Sequence, residues 1–289
     1  FSDKSYSEIS LAPNIWVYPS HSSNRWMYIF DALKLGRFIV EKRNIDNITC
    51  QDPFETGLVG ALIKSRHNVK LEIQIHTDLG NKYFRNFNTL NKIRSIISNF
   101  VLPRADHVRV VSNRIKDYVK RYIDETKIEI RPIKVDIDKI ENTPISVDLH
   151  KKYPQFEKIV LMASRIEKEK NIDMAIRSFS VLSKMRQNVG LIIVGSGKEK
   201  EYLKNLAKEL CIEKLVIFED WNDDIVSYYK TCDIFLLTSW YEGYGMSLVE
   251  AQACGAKVVS TDVGIAKELA IKTVKYNEDS IAWGIMEYL

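Results

Sequence analysis

The amino-acid sequence predicts an α/β protein built from two doubly wound parallel-sheet domains. Short runs rich in β-branched residues alternate along the chain with longer segments of helical period, which is the pattern of repeated βαβ units. The chain has 289 residues, of which 45% are hydrophobic, so it can build two cores of ordinary size. No apolar run approaches the ~18–20 residues that a membrane-spanning helix needs.

Ten short segments are predicted as strands, five in each half of the chain. In the first half they are residues 15–18, 47–51, 71–76, 107–111 and 128–131. In the second half they are residues 159–163, 190–194, 215–218, 234–238 and 257–260. Residues 132–154 contain three prolines and no sustained period, which is typical of a connector. We therefore predict domains at residues 1–150 and 151–289.

The cysteines and the charges indicate the surroundings of the protein. Cys50, Cys211, Cys232 and Cys254 are far apart in sequence, which predicts reduced thiols and a cytoplasmic location. The net charge of +4 is concentrated in residues 82–121, where ten Lys and Arg residues stand against two Asp residues. This segment fits either solvated helix faces or a surface that contacts an anionic membrane or acceptor. It contains no recognisable nucleic-acid-binding module, so we expect no nucleic-acid partner.

One part of the basic segment has a helical apolar pattern. Ile93, Ile96, Ile97 and Phe100 fall at helical spacing with basic neighbours. This pattern fits core packing, and it also fits a helix that lies on a membrane surface. The inner face of the membrane is therefore one predicted site of action.

Ligands of parallel sheets bind at the carboxyl ends of the strands, and the richest segment at such an end is residues 238–251. Gly243 and Gly245 permit close approach of the backbone and unusual dihedral angles. The spacing predicts a helix that begins near Gly245 or Met246, and its first N–H groups lack intrahelical partners. Such a helix start suits an anion such as a diphosphate.

The same segment carries two carboxylates. Glu242 and Glu250 lie 250 − 242 = 8 residues apart, with Glu242 in the loop and Glu250 in the helix, so they can reach different parts of one ligand. Carboxylates accept paired hydrogen bonds from neighbouring hydroxyls, as a sugar ring or a ribose offers. Alternatively, Glu242 caps the helix and Glu250 is a surface residue.

Residues 163–171 form a second charged segment after a predicted strand and include Arg165 and Lys170. Cationic side chains beside a phosphate site stabilise the charge that develops on a departing diphosphate. The turn at residues 195–198 resembles the Walker phosphate-binding loop and the dinucleotide-binding glycine motif but matches neither. Glu199 stands where the Walker loop requires Ser or Thr, and Lys200 stands where the dinucleotide motif requires its third glycine.

Residues 242–251 read Glu-Gly-Tyr-Gly-Met-Ser-Leu-Val-Glu-Ala, and here the chain resembles the retaining glycosyltransferases of family 4. The signature of that family is E-G-[FY]-G-x-x-x-x-E-A, which this segment matches throughout. The resemblance continues at Gly264 and Glu268 and covers most of residues 159–270. It implies the GT-B fold, with two Rossmann-like domains facing a cleft. Family members usually begin earlier and end later, so both domains are expected to be incomplete.

The resemblance also implies roles for individual residues. Arg165 and Lys170 are expected to hold the donor diphosphate, and Glu250 the ribose. Glu242 and the backbone of the following residues are expected to hold the sugar and phosphates; those residues are Gly243, Tyr244, Gly245, Met246 and Ser247. The donor base is expected near residues 218–223, where Trp221 either stacks on it or packs within the protein. His76, at the end of a first-half strand, is expected to contact the donor sugar or the leaving group, although a lone histidine is more often structural.

The sequence thus predicts a retaining glycosyltransferase of the hexosyltransferase type. It is expected to move a sugar from a nucleoside-diphosphate sugar to the hydroxyl of a glycan or a lipid-linked acceptor, in cell-surface glycan or glycolipid synthesis. We expect no cofactor and no metal. The family that the chain resembles commonly has a valine-aspartate turn where Asp136 and Asp138 stand, and no cluster of acids, histidines or cysteines elsewhere has metal-ligand spacing. The alternatives are a GT-B-like epimerase or phosphorylase and a non-catalytic sugar-nucleotide-binding protein.

Overall fold

The computed structural model describes residues 8–289, apart from the side chains of Arg25 and Trp26. Their contacts divide the chain into two compact units, which meet in sequence between Arg131 and Pro132. The sequence placed the domain boundary near residue 150. The connector packs with the second unit: the N–H of Ser146 donates to Ser227 Oγ at 2.9 Å, and Leu149 is fully buried in that unit's core.

The described part of the N-terminal unit opens with an antiparallel hairpin of β1 (Ile9–Ala12) and β2 (Ile15–Val17). The sequence predicted residues 15–18 as a strand of the parallel sheet, and this prediction is wrong because the described pairing of β2 is with β1 alone. The reason is the connecting turn, in which Asn14 adopts a positive φ of 62°. Asparagine tolerates that conformation, so the two-residue connection reverses the chain.

The main sheet of this unit has four parallel strands in the order in which they occur along the chain. Its strands are β3 (Asn47–Cys50), β4 (Lys70–Ile75), β5 (His107–Val110) and β6 (Ile128–Ile130). Its helices are α1 (Arg25–Arg43), α2 (Glu55–Lys64), α3 (Lys82–Asn86), α4 (Thr89–Val101) and α5 (Asn113–Val119). In β4 every second side chain is buried, and Glu72 on the other face lies near His107 and Arg109. One face of the sheet is therefore apolar and the other is charged.

The C-terminal unit has a six-stranded parallel sheet. Its strands are β7 (Lys158–Ala163), β8 (Val189–Val194), β9 (Val216–Glu219), β10 (Ile234–Leu237), β11 (Lys257–Thr261) and β12 (Lys272–Val274). Their order across the sheet is β12-β11-β10-β7-β8-β9. Its helices are α6 (Ile137–Asn142), α7 (Leu149–Lys152), α8 (Ile172–Met185), α9 (Lys200–Glu209), α10 (Ile225–Thr231), α11 (Met246–Ala253) and α12 (Glu278–Met286).

Both faces of this second sheet are buried. Residues of α8, α9 and α12 pack in one apolar cluster, and residues of α10 and α11 pack in another. All six residues of β8 are buried, which explains its continuous apolar sequence. The edge strand β12 was missed in the sequence, because it has three residues and only one of them is buried.

The loops at the carboxyl ends of β7, β8, β9 and β10 are tied to one another by backbone hydrogen bonds. The N–H of Ile166 donates to Ser196 O at 2.9 Å, and that of Gly195 donates to Glu219 O at 3.0 Å. The N–H of Trp240 donates to Glu169 O, also at 2.9 Å. Four adjacent loops thus form one connected surface at the edge of the sheet where ligands bind in this architecture.

Gly264, after β11, supports this surface from one side. Its φ is +51°, and a Cβ at this position would lie 2.2 Å from the carbonyl oxygen of Tyr244. The same oxygen accepts the N–H of Ile265 at 2.9 Å. A side chain at residue 264 therefore meets both backbone strain and a backbone clash.

We expect Gly264→Ala to lower the free energy of unfolding by about 3 kcal/mol, from left-handed strain plus steric overlap. Gly255→Ala is the matched control, because Gly255 has a φ of +82° but open space where the Cβ would go. The control should cost about 1 kcal/mol. Urea unfolding of both variants measures the difference, and equal losses would contradict a role for the contact with Tyr244.

Candidate functional site

The loop after β7 is joined to the loop after β10 through Asn171. This residue is buried and adopts the left-handed conformation, with φ +53°. Its Nδ2 donates to Thr238 O at 3.1 Å, and Thr238 Oγ1 donates to Asn171 O at 2.9 Å and to Lys170 O at 3.1 Å. These reciprocal bonds fix the backbone on both sides of the candidate site.

The joined loops bring Lys170 to Glu242. Lys170 Nζ lies 2.7 Å from Glu242 Oε1, and each side chain is only 15% exposed. Ser239 Oγ donates to the same carboxylate oxygen at 2.7 Å. Glu242 is not the N-cap residue of α11, because Gly245 occupies that position. The carboxylate is held beside a cation at the carboxyl edge of the sheet.

Helix α11 begins at Met246, as the sequence predicts, directly after Gly245 with φ +89°. Glycine adopts that angle without the steric cost that a side chain brings. Met246 is exposed, while Gly243, Tyr244 and Ser247 are half-buried. The residues expected to contact phosphate and sugar thus lie at the N-terminal end of an eight-residue helix.

Glu250 lies inside α11 and is half-buried rather than on the open surface. Burial raises the pKa of its carboxyl, and a hydrogen bond with the Tyr229 hydroxyl partly offsets that effect. Tyr229 is buried, and its ring is nearly perpendicular to that of Phe235, with 5.2 Å between the ring centroids. The sequence analysis missed Tyr229; its position in a short amphipathic helix indicates packing and gives no sign of the polar contact.

The remaining predicted donor-site residues are more exposed. The Arg165 side chain is 73% exposed, and its Nη2 lies 3.0 Å from Glu169 Oε1. Trp221, just beyond β9, is 54% exposed, and its Nε1 donates to Asp223 Oδ1 at 3.2 Å. His76 belongs to the other unit, where it is an exposed residue directly after β4, and its predicted contact with the donor stays a prediction.

Within residues 8–289, no cluster of three or more His, Cys, Asp or Glu side chains has the geometry of a metal site. Asp136 instead caps α6 by accepting the N–H of Lys139 at 3.0 Å. In the described part of the chain, no helix combines the length and the apolar composition needed to cross a bilayer.

Three of the four apolar residues in the helical pattern of the basic segment are exposed on α4, and the fourth, Ile97, is half-buried. Ile96 is 70% exposed, and Ile93 and Phe100 are also exposed. The Arg104 guanidinium lies 3.6 Å from the centre of the Phe100 ring. Core packing, one of the two interpretations of this pattern, therefore does not account for these three side chains.

Comparison with known families decides the identity of the chain. A family model described as "Glycosyl transferases group 1" matches residues 148–289, and one described as "Glycosyltransferase Family 4" matches residues 2–139. The chain belongs to glycosyltransferase family 4. The family expected from residues 242–251 is thereby confirmed.

Two relatives of this glycosyltransferase match most of its length. The uncharacterized glycosyltransferase MJ1607 of Methanocaldococcus jannaschii is 28% identical over 267 residues, which is 87% of this chain and 67% of the relative. The alpha-monoglucosyldiacylglycerol synthase of Streptococcus pneumoniae is 25% identical over 269 residues, which is 87% of this chain and 60% of the relative. The chain thus spans about two thirds of the length of these relatives.

A solved structure shares the fold of the glycosyltransferase. Anabaena Alr3699/HepE in complex with UDP-glucose has a TM-score of 0.70 at 20% identity, and the match covers 90% of this chain and 71% of that one. This likeness supports the GT-B fold that the sequence predicts.

We expect Glu250→Gln to raise the melting temperature at pH 7 by about 1 to 3 °C. The folded-state pKa of Glu250 is raised, so its contribution to stability is complete below the ordinary value of 4.5 and is lost as the pH rises. Glutamine removes that loss and still offers an oxygen to Tyr229. Thermal unfolding at pH 7 and at pH 4 measures the effect, which should vanish at the lower pH. Glu213→Gln, at an exposed glutamate, is the control and should change neither value.

Proposed function

We propose that this glycosyltransferase moves a sugar from a nucleoside-diphosphate sugar to a hydroxyl of a glycan or lipid-linked acceptor, with retention at the anomeric carbon. The observation that carries the proposal is the Lys170–Glu242 pair at the carboxyl edge of the sheet, at 2.7 Å. It places a cation for a diphosphate beside a carboxylate for hydroxyls. The adjoining helix α11 supplies backbone N–H groups and Glu250.

The donor contacts divide between two loops and one helix. Lys170 and Arg165 neutralise the diphosphate, and the N–H groups at the start of α11 point toward an anion. Glu242 accepts hydroxyls of the sugar, and Glu250 accepts the paired hydroxyls of the ribose. In this arrangement Lys170 exchanges part of its contact with Glu242 for the donor's phosphate.

The proposed reaction breaks the bond between the anomeric carbon and the β-phosphate oxygen of the donor. The acceptor oxygen forms a new bond to the same face of that carbon, and its proton passes to the departing diphosphate. Products are the glycoside and the nucleoside diphosphate. The charge that develops on the leaving group is stabilised by Lys170 and Arg165, so we propose that the step needs no metal.

A uridine nucleotide is the first donor to test, because the similar solved structure holds UDP-glucose. The exposed ring of Trp221 offers a surface for the base at the end of β9. Glycolipid synthesis is supported by the diacylglycerol-type name of one relative and by the exposed face of α4. We propose that this face contacts an anionic membrane from the cytoplasmic side. It is formed by Ile93, Ile96 and Phe100 together with the exposed basic side chains of Lys92 and Arg104.

We expect Lys170→Met to weaken UDP-sugar binding by about 10- to 100-fold, the size of one charge-assisted hydrogen bond. Isothermal titration in the presence of EDTA measures the dissociation constant and tests the independence from metal at the same time. The single variant both removes the cation and leaves the Glu242 carboxylate without its lysine partner. The double variant Lys170→Met/Glu242→Gln also removes that negative charge, so comparing the two variants separates the two effects on binding.

Lys158→Met is the matched control for this experiment. Lys158 Nζ lies 2.8 Å from Asp233 Oδ1 in an ion pair at the amino ends of β7 and β10, away from the candidate site. Its loss should leave the dissociation constant unchanged. If both lysine variants bind the donor as the unmodified protein does, the proposed diphosphate site is wrong.

We expect Ile96→Asp to reduce binding to phosphatidylglycerol vesicles by about tenfold or more, because burying an isoleucine contributes roughly 2 kcal/mol. Vesicle co-sedimentation measures the partition, with phosphatidylcholine vesicles and high salt as conditions that should weaken it. Ile145→Asp is the control, since Ile145 is a similarly exposed isoleucine in the other unit. Equal binding of both variants would rule out α4 as the contact surface.

A further inference from the structure

Glu219, the last residue of β9, gathers hydrogen bonds from three side chains. Lys152 Nζ donates to its Oε2 at 2.6 Å, and the Tyr228 hydroxyl donates to the same oxygen at 2.7 Å. The hydroxyl of Tyr153 donates to Oε1. With 15% of its side chain exposed, Glu219 is held at the ligand edge of the sheet rather than displayed to solvent.

The network around Glu219 is closed on itself. Lys152 Nζ also donates to the Tyr228 hydroxyl at 3.2 Å, so the three groups form a triangle. Burial disfavours the charged carboxylate, but the bonds from Lys152, Tyr153 and Tyr228 outweigh it and lower the pKa of Glu219. A carboxylate that is satisfied in this way is a stable anchor for whatever is attached to its partners.

The loop that carries Trp221 is attached to this network. Asn222 Nδ2 donates to the Tyr228 hydroxyl at 3.3 Å, and Asn222 Oδ1 accepts the N–H of Asp224 at 2.9 Å. Residues 220–224 are therefore linked through one tyrosine hydroxyl to the carboxylate of Glu219. The exposed Trp221 ring is in the middle of this loop.

Glu219 also holds the neighbouring loop, through its backbone. Its carbonyl oxygen accepts the N–H of Gly195 at 3.0 Å. Glu219 thus joins the glycine turn after β8 to the loop after β9 that bears Trp221. Its backbone carbonyl binds the glycine turn, and its side chain is linked to the loop through Tyr228.

We propose that Glu219 is a positioning residue that fixes the loop bearing Trp221, and so sets the affinity for the nucleoside part of the donor. The proposal rests on the donor site proposed above. An ordered loop binds more tightly than a mobile one, because the entropy of ordering it has already been lost on folding. The side-chain network should therefore act on the nucleoside while leaving the diphosphate contacts intact.

The test uses Tyr228→Phe, which removes the hydroxyl shared by Glu219, Lys152 and Asn222 but keeps the buried ring. Titrations with UDP, GDP, ADP and inorganic pyrophosphate are compared with those of the unmodified protein. We expect the affinity for the preferred nucleotide to fall about tenfold and that for pyrophosphate to change by less than about twofold. Hydrogen exchange at residues 220–224 should become faster in the variant.

Asp233→Asn is the matched control. Asp233 is a carboxylate of similar exposure, 17%, that pairs with Lys158 at the opposite end of the same sheet. This variant should alter the stability of the protein, and any change in its affinity for the nucleotide should equal the change in its affinity for pyrophosphate. Asn222→Ala is the second variant if Tyr228→Phe does not fold, because it cuts the link to the loop outside the buried core, and it should give the same separation.

The outcomes distinguish the two proposals. Failure of the unmodified protein to bind any of the three nucleotides would overturn the proposed function itself. Nucleotide binding that Tyr228→Phe or Asn222→Ala leaves unchanged, or reduces in equal measure with pyrophosphate, would overturn the positioning role of Glu219 alone.

Discussion

The candidate donor site depends on one backbone constraint, which is the left-handed turn at Asn171. The turn allows the chain to leave the loop after β7 and enter α8 while its side chain bonds the loop after β10. Asparagine adopts this conformation at little cost, and its side-chain amide donates to the carbonyl oxygen of Thr238, directly after the end of β10. Together with the bond from the N–H of Trp240 to Glu169 O, this junction brings together Lys170 and Glu242, which lie 72 residues apart in sequence.

The site concentrates charge where solvent is partly excluded. Lys170 and Glu242 offset each other, and Ser239 adds a neutral donor to the same carboxylate oxygen. Within the described part of the chain, the Tyr229 hydroxyl opposes the cost of burying Glu250 but does not outweigh it, so the ionised form of Glu250 is destabilised in the folded protein. A ligand whose hydroxyls donate hydrogen bonds to Glu250 would relieve this cost. Ligand binding at Glu250 should therefore stabilise the folded protein.

Much of the fold follows from sequence pattern because strands of the C-terminal unit are buried on both faces. The continuous apolar run of β8 is typical of a strand that is buried on both faces, whereas β4 shows the alternation of a sheet with one charged face. The hairpin of β1 and β2 was mistaken because its strands are exposed and its identity depends on the φ of a single asparagine. Short edge strands such as β12 carry too little periodicity to predict.

The candidate site was predictable to the extent that it lies in one contiguous motif. Glu242, Gly245 and Glu250 are close in sequence, and Gly245 has the positive φ that the motif suggests. Tyr229 is absent from the prediction because its contact with Glu250 depends on how α10 packs against α11. The network at Glu219 was missed for a similar reason, because its members come from three separate elements that only the folded structure brings together.

The distribution of these side chains along the chain has an evolutionary consequence. Arg165, Lys170, Glu242 and Glu250 all lie in the C-terminal unit, so the proposed donor machinery is inherited as a single uninterrupted stretch of the gene. Recombination or insertion upstream of Pro132, where the second unit begins, leaves every one of these residues on its own sheet. Changes confined to the first unit therefore leave these four residues and the sheet that carries them unaltered.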